Sequence, residues 1–143
     1  MIKYFIIHHS VTGHNVPDSI VKSWGYDKII MWDGRILDGL GHAHTYGHNY
    51  DSLGVCLIGN FEIENPTSQQ IDSLIKQLKL WMKSYPNAII VGHKDLANNP
   101  PGYNFTACPG KNLHALISDI IKMLDGKNLS RNHNCSLFIA IFC

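Results

Sequence analysis

Residues 53–59 constrain the fold more than any other stretch, because they form an apolar run without polar alternation. A strand with one face in water alternates apolar and polar side chains, whereas a strand covered on both faces is apolar throughout. The run therefore predicts a central strand with further elements packed on both sides. Residues 4–9 and 88–92 are rich in β-branched and other apolar side chains and predict two more buried strands.

A β-hairpin is the clearest local prediction. Asp33-Gly34 is a two-residue turn signal, so residues 27–32 and 35–38 are expected to pair as antiparallel strands. The next stretch, residues 39–51, contains too many glycine, histidine and asparagine residues for a regular element and predicts a loop. Loops on a rigid scaffold often carry functional residues, so this loop is a candidate wall of a site.

Three helices are predicted around these strands. Pro17 suits the first turn of a short helix, Thr67 and Gln70 form a capping box before a helix of about five turns, and Pro109 opens the last helix. The apolar positions of the three helices are Ile20, Val21 and Trp24, then Ile71, Leu74, Ile75, Leu78, Trp81, Met82 and Tyr85, then Leu113, Leu116, Ile117, Ile120, Ile121 and Leu124.

Together these elements predict an α/β fold, a single domain with a central mixed β-sheet flanked by helices. The 143 residues are enough for one hydrophobic core. The periodic pattern stops near Lys127, so residues 1–126 are the predicted domain and residues 127–143 a tail, either disordered or packed as a strand. The apolar part of the tail is far shorter than the roughly 20 residues that span a bilayer, so stable membrane insertion is not expected.

The charge balance points to no strongly charged partner. Twelve basic and eleven acidic residues leave a net charge of +1, which predicts neither nucleic-acid binding nor attraction to an anionic membrane. We expect a monomer. The apolar run after Met1 is too short for a signal peptide and lacks a small-residue cleavage site, so synthesis in the cytoplasm without a signal peptide is predicted.

Histidine and cysteine carry the chemistry that the sequence suggests. His8 and His9 end one predicted strand, His93 ends another, and Cys108 precedes the last helix. His8 and His9 point to opposite faces of a strand, and parity alone does not choose between them. Imidazoles and one thiolate leave zinc with an open fourth position, which is typical of a catalytic site. A zinc site at the end of the sheet is therefore our first hypothesis.

Two other interpretations stay open at this point. Taken singly, a histidine at a strand end or a lone cysteine is more often structural than functional. Cys108 paired with His93 would also suit a cysteine nucleophile. The four cysteines form no CxxC pair, so a zinc ribbon or a thioredoxin-type redox motif is excluded.

Seven short segments occur together in a recognisable order. They are Ile7-His8-His9-Ser10, Trp24-Gly25-Tyr26, Trp32-Asp33-Gly34-Arg35, Gly41-His42-Ala43-His44-Thr45-Tyr46-Gly47-His48-Asn49, Ser52-Leu53-Gly54-Val55-Cys56-Leu57-Ile58-Gly59, Gly92-His93-Lys94-Asp95 and Thr106-Ala107-Cys108-Pro109-Gly110. In this order they resemble the type 2 N-acetylmuramoyl-L-alanine amidases, which include short phage lysozymes of amidase type and the peptidoglycan recognition proteins. The resemblance covers roughly residues 2–124. It implies a zinc amidase that cleaves the amide bond between N-acetylmuramic acid and the L-alanine of the stem peptide.

The resemblance also implies a zinc ligand set. His8, the first histidine of the pair, matches a family ligand and is thereby chosen over His9. His93 and Cys108 complete the set. Asp95 is expected to orient the strand end or a ligand histidine rather than to act as a nucleophile.

The same resemblance implies catalytic and substrate-binding residues. Tyr26 falls at the position of a catalytic tyrosine, and Thr106 falls where members carry lysine or threonine. Either could donate a hydrogen bond to the oxyanion of the reaction. His44 and Asn49 match the histidine and asparagine of the family's glycine-rich loop, which lines the substrate groove.

The chain departs from the family between His93 and Cys108, which are fifteen residues apart, a longer spacing than in many members. The extra residues fall within 98–105. Tyr103 and Phe105 in this stretch are either stacking surfaces for the substrate or aromatics tucked under a solvent-facing loop. The remaining histidines are expected to make ordinary loop contacts, and Cys56 is expected in the core; these histidines are His14, His42, His48, His114 and His133.

Two uses of such a domain are weighed. The first is a phage or prophage endolysin, made in the cytoplasm and released onto the bacterial wall by a partner such as a holin. The alternative is a peptidoglycan-binding module of the same fold without activity, because one fold can serve both uses. A binding module does not need an open zinc site, so the complete set of His8, His93, Cys108 and Tyr26 favours the enzyme.

Overall fold

A five-stranded mixed sheet forms the centre of the structure, a computed structural model that describes residues 1–96 and 105–125. The strands are β1 Tyr4–His9, β2 Lys28–Ile30, β3 Ile36–Asp38, β4 Ser52–Leu57 and β5 Ile89–Gly92. Their order in the sheet is β3-β2-β4-β1-β5. All neighbours pair in parallel except β2 and β3. The predicted α/β fold with a mixed sheet is confirmed, and the apolar run supplies the central strand β4.

Four helices accompany these strands in the described part of the chain. They are α1 Asp18–Val21, α2 Ser68–Ser84, α3 His93–Leu96 and α4 Lys111–Asp125. The capping box of α2 is confirmed, since the Thr67 side chain accepts from the Gln70 amide and the Gln70 side chain accepts from the Thr67 amide. The single turn α3 lies where a loop was predicted.

The two faces of the sheet are covered differently. Side chains of one parity, such as Phe5, Ile7 and Val55, form the main core together with the apolar faces of α2 and α4. A smaller cluster around Val21 and Ile29 lies apart from it. The loop of residues 39–51 covers the other parity of β4, because a Cβ atom added at Gly54 would meet the ring of His44 at 2.6 Å. That loop-covered face is the one on which the site is built.

The hairpin is confirmed, but its loop is one residue longer than predicted. The Met31 amide donates to the Arg35 carbonyl, so residues 32–34 form a three-residue loop. Gly34 has a φ of +90° and its amide donates to the Met31 carbonyl. A three-residue loop with a glycine in the left-handed region is a common alternative to the two-residue loop. An Asp-Gly pair suits both loop types, so the sequence alone does not distinguish them.

Three sequence predictions need correction in detail. β2 is shorter than residues 27–32, and Tyr26 lies before it rather than at its start. β5 is an edge strand, so Ile89 is 59% exposed although a fully buried strand was predicted. Ile20 is half-exposed, since α1 has a single turn and buries Val21 alone.

Some predictions fall on residues outside the described ranges. The tail of residues 127–143, most of the extra loop before Cys108, Tyr103 and His133 belong to this group. Phe105 is described and is 89% exposed, which excludes a position tucked under the loop. None of the helices found in residues 1–96 and 105–125 has both the length and the hydropathy needed to cross a membrane.

Candidate metal centre

Three predicted zinc ligands lie together at one end of the sheet. His8 is the penultimate residue of β1, His93 directly follows β5 as the first residue of α3, and Cys108 lies just before α4. β1 and β5 are parallel neighbours, so their carboxyl ends meet at the same edge. One donor atom from each of the three residues lies within 4.8 Å of the other two. The topology therefore brings together residues from three distant parts of the sequence.

The spacing of one donor pair, His8 and Cys108, fits zinc. The Nδ1 of His8 and the Sγ of Cys108 are 3.6 Å apart. Zn–N bonds of about 2.1 Å and Zn–S bonds of about 2.3 Å at a tetrahedral angle place the two donors about 3.6 Å apart. Two nitrogens and one sulfur are also the ligand types that zinc prefers over calcium or magnesium. The three residues could hold a zinc ion and leave its fourth position open.

The structure distinguishes the two adjacent histidines by the faces of β1. His8 points to the face covered by the loop of residues 39–51, where its Nε2 lies 3.2 Å from the Thr45 hydroxyl. His9 has the opposite parity, and its Nδ1 accepts a hydrogen bond from the Phe61 amide at 3.1 Å. The backbone amide of His9 donates to Cys108 Sγ at 3.4 Å. His9 therefore supports the thiol through its main chain, while His8 presents an imidazole nitrogen to it.

Burial keeps the imidazoles of the centre neutral. It lowers the pKa of His8 well below its usual range, and repulsion from His93, His44 and His9 adds to the effect. Burial, followed by repulsion from His44, also lowers the pKa of His93. A histidine must be neutral to bind a metal, so both side chains are held in the ligand form near neutral pH.

Cys108 has the environment of a ligand rather than of a free nucleophile. Burial raises the pKa of its thiol to about 12, and the hydrogen bond from the His9 amide offsets this only in part. A nucleophilic cysteine has a lowered pKa, usually from a helix N-terminus or a neighbouring cation. A bound metal ion deprotonates a coordinating thiol outright. The geometry therefore favours the metal hypothesis over the cysteine-nucleophile alternative.

Tyr26 lies against the centre. Its ring centroid is 4.9 Å from that of His8 and 6.3 Å from that of Trp24. Burial raises the pKa of the phenol far above its usual value, and the neighbouring thiols of Cys56 and Cys108 raise it further. The phenol therefore keeps its proton across the physiological range. In this protonation state it can donate a hydrogen bond, but it cannot serve as a base.

Thr106 is the other predicted catalytic residue, and it lies at the wall of the same cleft. Its hydroxyl oxygen accepts a hydrogen bond from the Cys108 amide at 3.1 Å. That contact fixes the side chain next to the thiol and uses one lone pair of the oxygen. The hydroxyl proton remains available for a donor role toward a bound molecule.

His44 and Asn49, the predicted substrate-binding residues, make specific contacts within the protein. The Asn49 side-chain oxygen accepts from the amides of His44 and Thr45, each at 2.8 Å. The His44 side chain is 1% exposed, and its Nδ1 lies 3.0 Å from the Thr45 hydroxyl. Their contact with a substrate stays a prediction. Asn49 fixes the conformation of the loop of residues 39–51 from within, and the His44 ring lies 5.4 Å from the ring of His8.

A cleft of about 490 Å³ opens above the three donors. Its walls include Tyr26, Thr106, Glu62 and Val11. Val11 is 59% exposed and has a φ of +55°, which is rare for a β-branched residue. Backbone strain of this kind concentrates at functional sites, where the surrounding structure enforces it. The cleft is the place where a substrate would reach the metal centre.

A family model described as N-acetylmuramoyl-L-alanine amidase matches residues 1–111 of the chain. The chain belongs to this amidase family. The matched range contains all three candidate ligands and both predicted catalytic residues. The family membership that the sequence motifs suggested is thus confirmed.

Relatives of this amidase-family chain include proteins named as endolysins or amidases and proteins named as peptidoglycan recognition proteins. An endolysin of Enterobacteria phage K11 is 32% identical over 130 residues, covering 76% of this chain and 81% of that protein. A peptidoglycan recognition protein of Trichoplusia ni is 28% identical over 137 residues, covering 79% of this chain and 71% of that protein. Among solved structures, the N-acetylmuramoyl-L-alanine amidase LysC of Clostridium intestinale has a TM-score of 0.73 at 27% identity, covering 87% of this chain and 85% of that one.

Sequence reasoning missed two residues next to the centre of this amidase-family chain. Thr45 contacts His8 with its hydroxyl, but a threonine in a loop carries no signal of such a role. Cys56, predicted as a core residue, is fully buried as expected. It also lies beside His8 in the β1–β4 register and close to Tyr26. The register of two parallel strands would have revealed this neighbour, and parallel register is not readable from the sequence of either strand.

Other predictions about this amidase-family chain are borne out. Asp95 orients the strand end, since its carboxylate accepts from the Gly92 amide at 2.8 Å. Four of the remaining histidines are described, three in loops and His114 in α4, and they make ordinary polar contacts: His14 with Glu64, His42 with the Leu40 carbonyl, His48 with Asp51 and His114 with Asp95.

Proposed function

We propose that the chain is a zinc-dependent N-acetylmuramoyl-L-alanine amidase. In this proposal it hydrolyses the amide bond between the lactyl group of N-acetylmuramic acid and the L-alanine of the peptidoglycan stem peptide. The observation that carries the proposal is the set of three donors, His8, His93 and Cys108, at the floor of an open cleft. Three protein ligands and an open fourth position are typical of catalytic rather than structural zinc.

The three ligand residues would hold the metal with two neutral imidazoles and one thiolate. His8 and His93 are already neutral in the folded chain, so the proton lost on metal binding comes from Cys108. The chemistry that zinc supplies when bound is polarisation of the amide carbonyl and activation of water near neutral pH.

Tyr26 and Thr106 supply hydrogen-bond donors toward the reacting carbonyl oxygen. The Tyr26 phenol is protonated at the pH of the reaction, and the Thr106 hydroxyl has its proton free while its oxygen is held by the Cys108 amide. Donors aimed at the position where negative charge develops typically contribute on the order of 10²–10³ in rate each. Both residues line the cleft, so a substrate amide over the metal centre would lie within their reach.

The relatives support a biological setting for this activity. Similarity to the K11 phage endolysin over most of both chains supports a role in degrading the bacterial cell wall. We infer that the chain is an endolysin of a phage or prophage, made in the cytoplasm and acting on peptidoglycan after release. Peptidoglycan is then the macromolecular partner, bound along the cleft.

The second candidate is a binding module that holds peptidoglycan without cleaving it. This candidate is supported by similarity to peptidoglycan recognition proteins, at 28–30% identity over most of the chain. The experiment must therefore distinguish a binding module from an amidase. The two candidates differ in the products that they release. A binding module leaves the stem peptides attached to the glycan.

The deciding experiment is digestion of purified sacculi followed by mass analysis of the soluble products. The proposal predicts free stem peptides with an L-alanine amino terminus, their disappearance after treatment with a chelator, and their return when zinc is added. Sedimentation of the protein with sacculi without release of peptides would replace the proposal by the binding module. Peptide release that survives metal removal but is abolished by thiol alkylation would replace it by the cysteine-nucleophile mechanism.

A further inference from the structure

The loop of residues 39–51 places a chain of polar groups behind the His8 imidazole. The Thr45 hydroxyl lies 3.2 Å from His8 Nε2 and 3.0 Å from His44 Nδ1. His44 Nε2, at the far side of its ring, is 3.5 Å from a carboxylate oxygen of Asp27. All three contacts are buried or nearly so, since Thr45 is 4% exposed and the His44 side chain 1%.

The Asp27 carboxylate, at the end of this series of contacts, determines which group donates and which accepts in each hydrogen bond. A carboxylate accepts hydrogen bonds and cannot donate, so it favours a proton on His44 Nε2. Among the residues that the structure describes, that nitrogen has no hydrogen-bond partner within normal distance, and the Asp27 carboxylate oxygen at 3.5 Å is the acceptor that faces it. A neutral imidazole with its proton on Nε2 has a lone pair on Nδ1.

The same constraint fixes the donor and acceptor roles at Thr45 and then at His8. The lone pair of His44 Nδ1 accepts the Thr45 hydroxyl proton, which leaves the Thr45 oxygen as the acceptor for His8 Nε2. His8 then carries its proton on Nε2. Its Nδ1, the atom 3.6 Å from Cys108 Sγ, has the free lone pair that a metal requires.

We propose that Thr45 is a positioning residue of the metal centre, which couples His8 to the His44–Asp27 pair and so selects the His8 tautomer that binds zinc through Nδ1. This inference rests on the proposed zinc-dependent function. Two features of the loop and strand hold the chain of contacts in place. Asn49 fixes the backbone of residues 44 and 45, and Gly54 leaves room for the His44 ring.

A direct test measures the tautomers in the wild-type protein without metal. Long-range ¹H–¹⁵N correlation of the imidazoles should show His8 and His44 both neutral and both protonated on Nε2. A His8 imidazole protonated on Nδ1 would overturn the proposal. This measurement needs no variant, so it decides the matter even if a substitution prevents folding.

Zinc affinity of variants gives the second test, measured by competition with a chelating dye. Thr45→Val keeps the side-chain shape without the hydroxyl and should weaken zinc binding about 10–100-fold, as loss of an outer-shell partner usually does. Thr45→Ser should restore affinity to within about threefold of the wild type. Asp27→Asn should weaken binding in the same direction, because an amide can donate to His44 and reverse the chain of donors.

Thr12→Val is the matched control, since the Thr12 hydroxyl bonds to Ser10 and touches no ligand of the centre. Unchanged zinc affinity in Thr45→Val, or a loss as large in Thr12→Val, would refute the role of Thr45. Failure of this inference is separable from failure of the proposed function. In the first case the wild type binds zinc and releases stem peptides, but Thr45→Val binds zinc as tightly as the wild type. In the second case the wild type binds no zinc or releases no stem peptides from sacculi.

Discussion

His8 Nδ1 and Cys108 Sγ lie 3.6 Å apart in the folded chain, although 100 residues separate them in the sequence. His8 is 1% exposed and Cys108 is partly buried, and both residues line the cleft together with other polar side chains. A metal ion would satisfy both at once, which makes this pair the most direct target for substitution.

Cys108→Ser should lower zinc affinity by at least about 100-fold, because loss of a ligand exceeds the 10–100-fold effects seen for outer-shell partners. Zinc content after dialysis, measured by atomic emission, checks this expectation. Cys56→Ala is the control, since Cys56 is buried beside the centre but outside the ligand set. Full zinc content in Cys108→Ser would remove this residue from the ligand set.

Tyr26→Phe should reduce kcat by about 10²–10³ through loss of one donor to the carbonyl oxygen. Zinc content should stay unchanged, because the phenol is not among the three donors. The rate of L-alanine-terminated peptide release from sacculi is the measurement. Tyr50→Phe, at a tyrosine that is 80% exposed, should leave the rate unaltered. Equal rates for Tyr26→Phe and wild type would show that the phenol plays no part in the reaction.

The metal-free protein should lose stability as the pH falls below about 6.5, the pKa of histidine in an unfolded chain. Burial lowers the folded-state pKa of His8, His44 and His93, so the unfolded chain binds more protons in this range. Stability is therefore complete above pH 6.5 and declines toward the lowered values. Each histidine contributes a slope of at most about 1.4 kcal/mol per pH unit. Urea unfolding between pH 7.5 and 5 with a chelator present measures the slope, and a flat profile contradicts it.

Gly54→Ala should destabilise the fold by about 1–3 kcal/mol, the usual cost of overpacking. An added Cβ would lie 2.6 Å from two atoms of the His44 ring, which is itself enclosed. Gly13→Ala is the control, since no atom of the described residues lies within 4 Å of a Cβ added at that position. The free energy of unfolding in urea compares the two. Similar values for both variants would mean that the His44 ring can move without cost.

Val11→Asn should raise stability by about 1 kcal/mol. A non-glycine residue in the left-handed region costs roughly 1–2 kcal/mol, and asparagine tolerates this conformation better than a β-branched residue. Because Val11 is 59% exposed, little apolar burial is lost. Thermal unfolding provides the measurement. A lower melting temperature would show that the valine side chain stabilises the rim of the cleft by more than its backbone strain.

The sheet and its helices were predictable because their signals are local. An apolar run without alternation identified β4 as central, and the capping box at Thr67 located the start of α2 to the residue. The edge position of β5 was not predictable, because a four-residue apolar strand looks the same at the centre of a sheet and at its edge. Which neighbours a strand finds depends on the whole topology.

The choice between His8 and His9 shows the same limit at the site. Strand parity places them on opposite faces, but nothing local says which face receives the loop of residues 39–51 and which receives α2 and α4. The family resemblance selected His8. The structure gives the physical reason, because the loop of residues 39–51 covers the face of β1 to which His8 points. Thr45 and Asp27 escaped notice because their relation to His8 passes through contacts between residues far apart in the sequence.

The parallel pairing of β1 with β4 and β5 has a consequence for synthesis of the chain. The first strand is made early, but both of its neighbours are translated later, and Cys108 later still. At about 5–20 residues per second, the ribosome needs roughly 5–20 s to pass from His8 to Cys108. Until β4 has been made, β1 has no parallel partner, and until Cys108 has been made, the centre lacks its third candidate ligand. A metal centre built from all three donors therefore cannot be complete until Cys108 has left the ribosome.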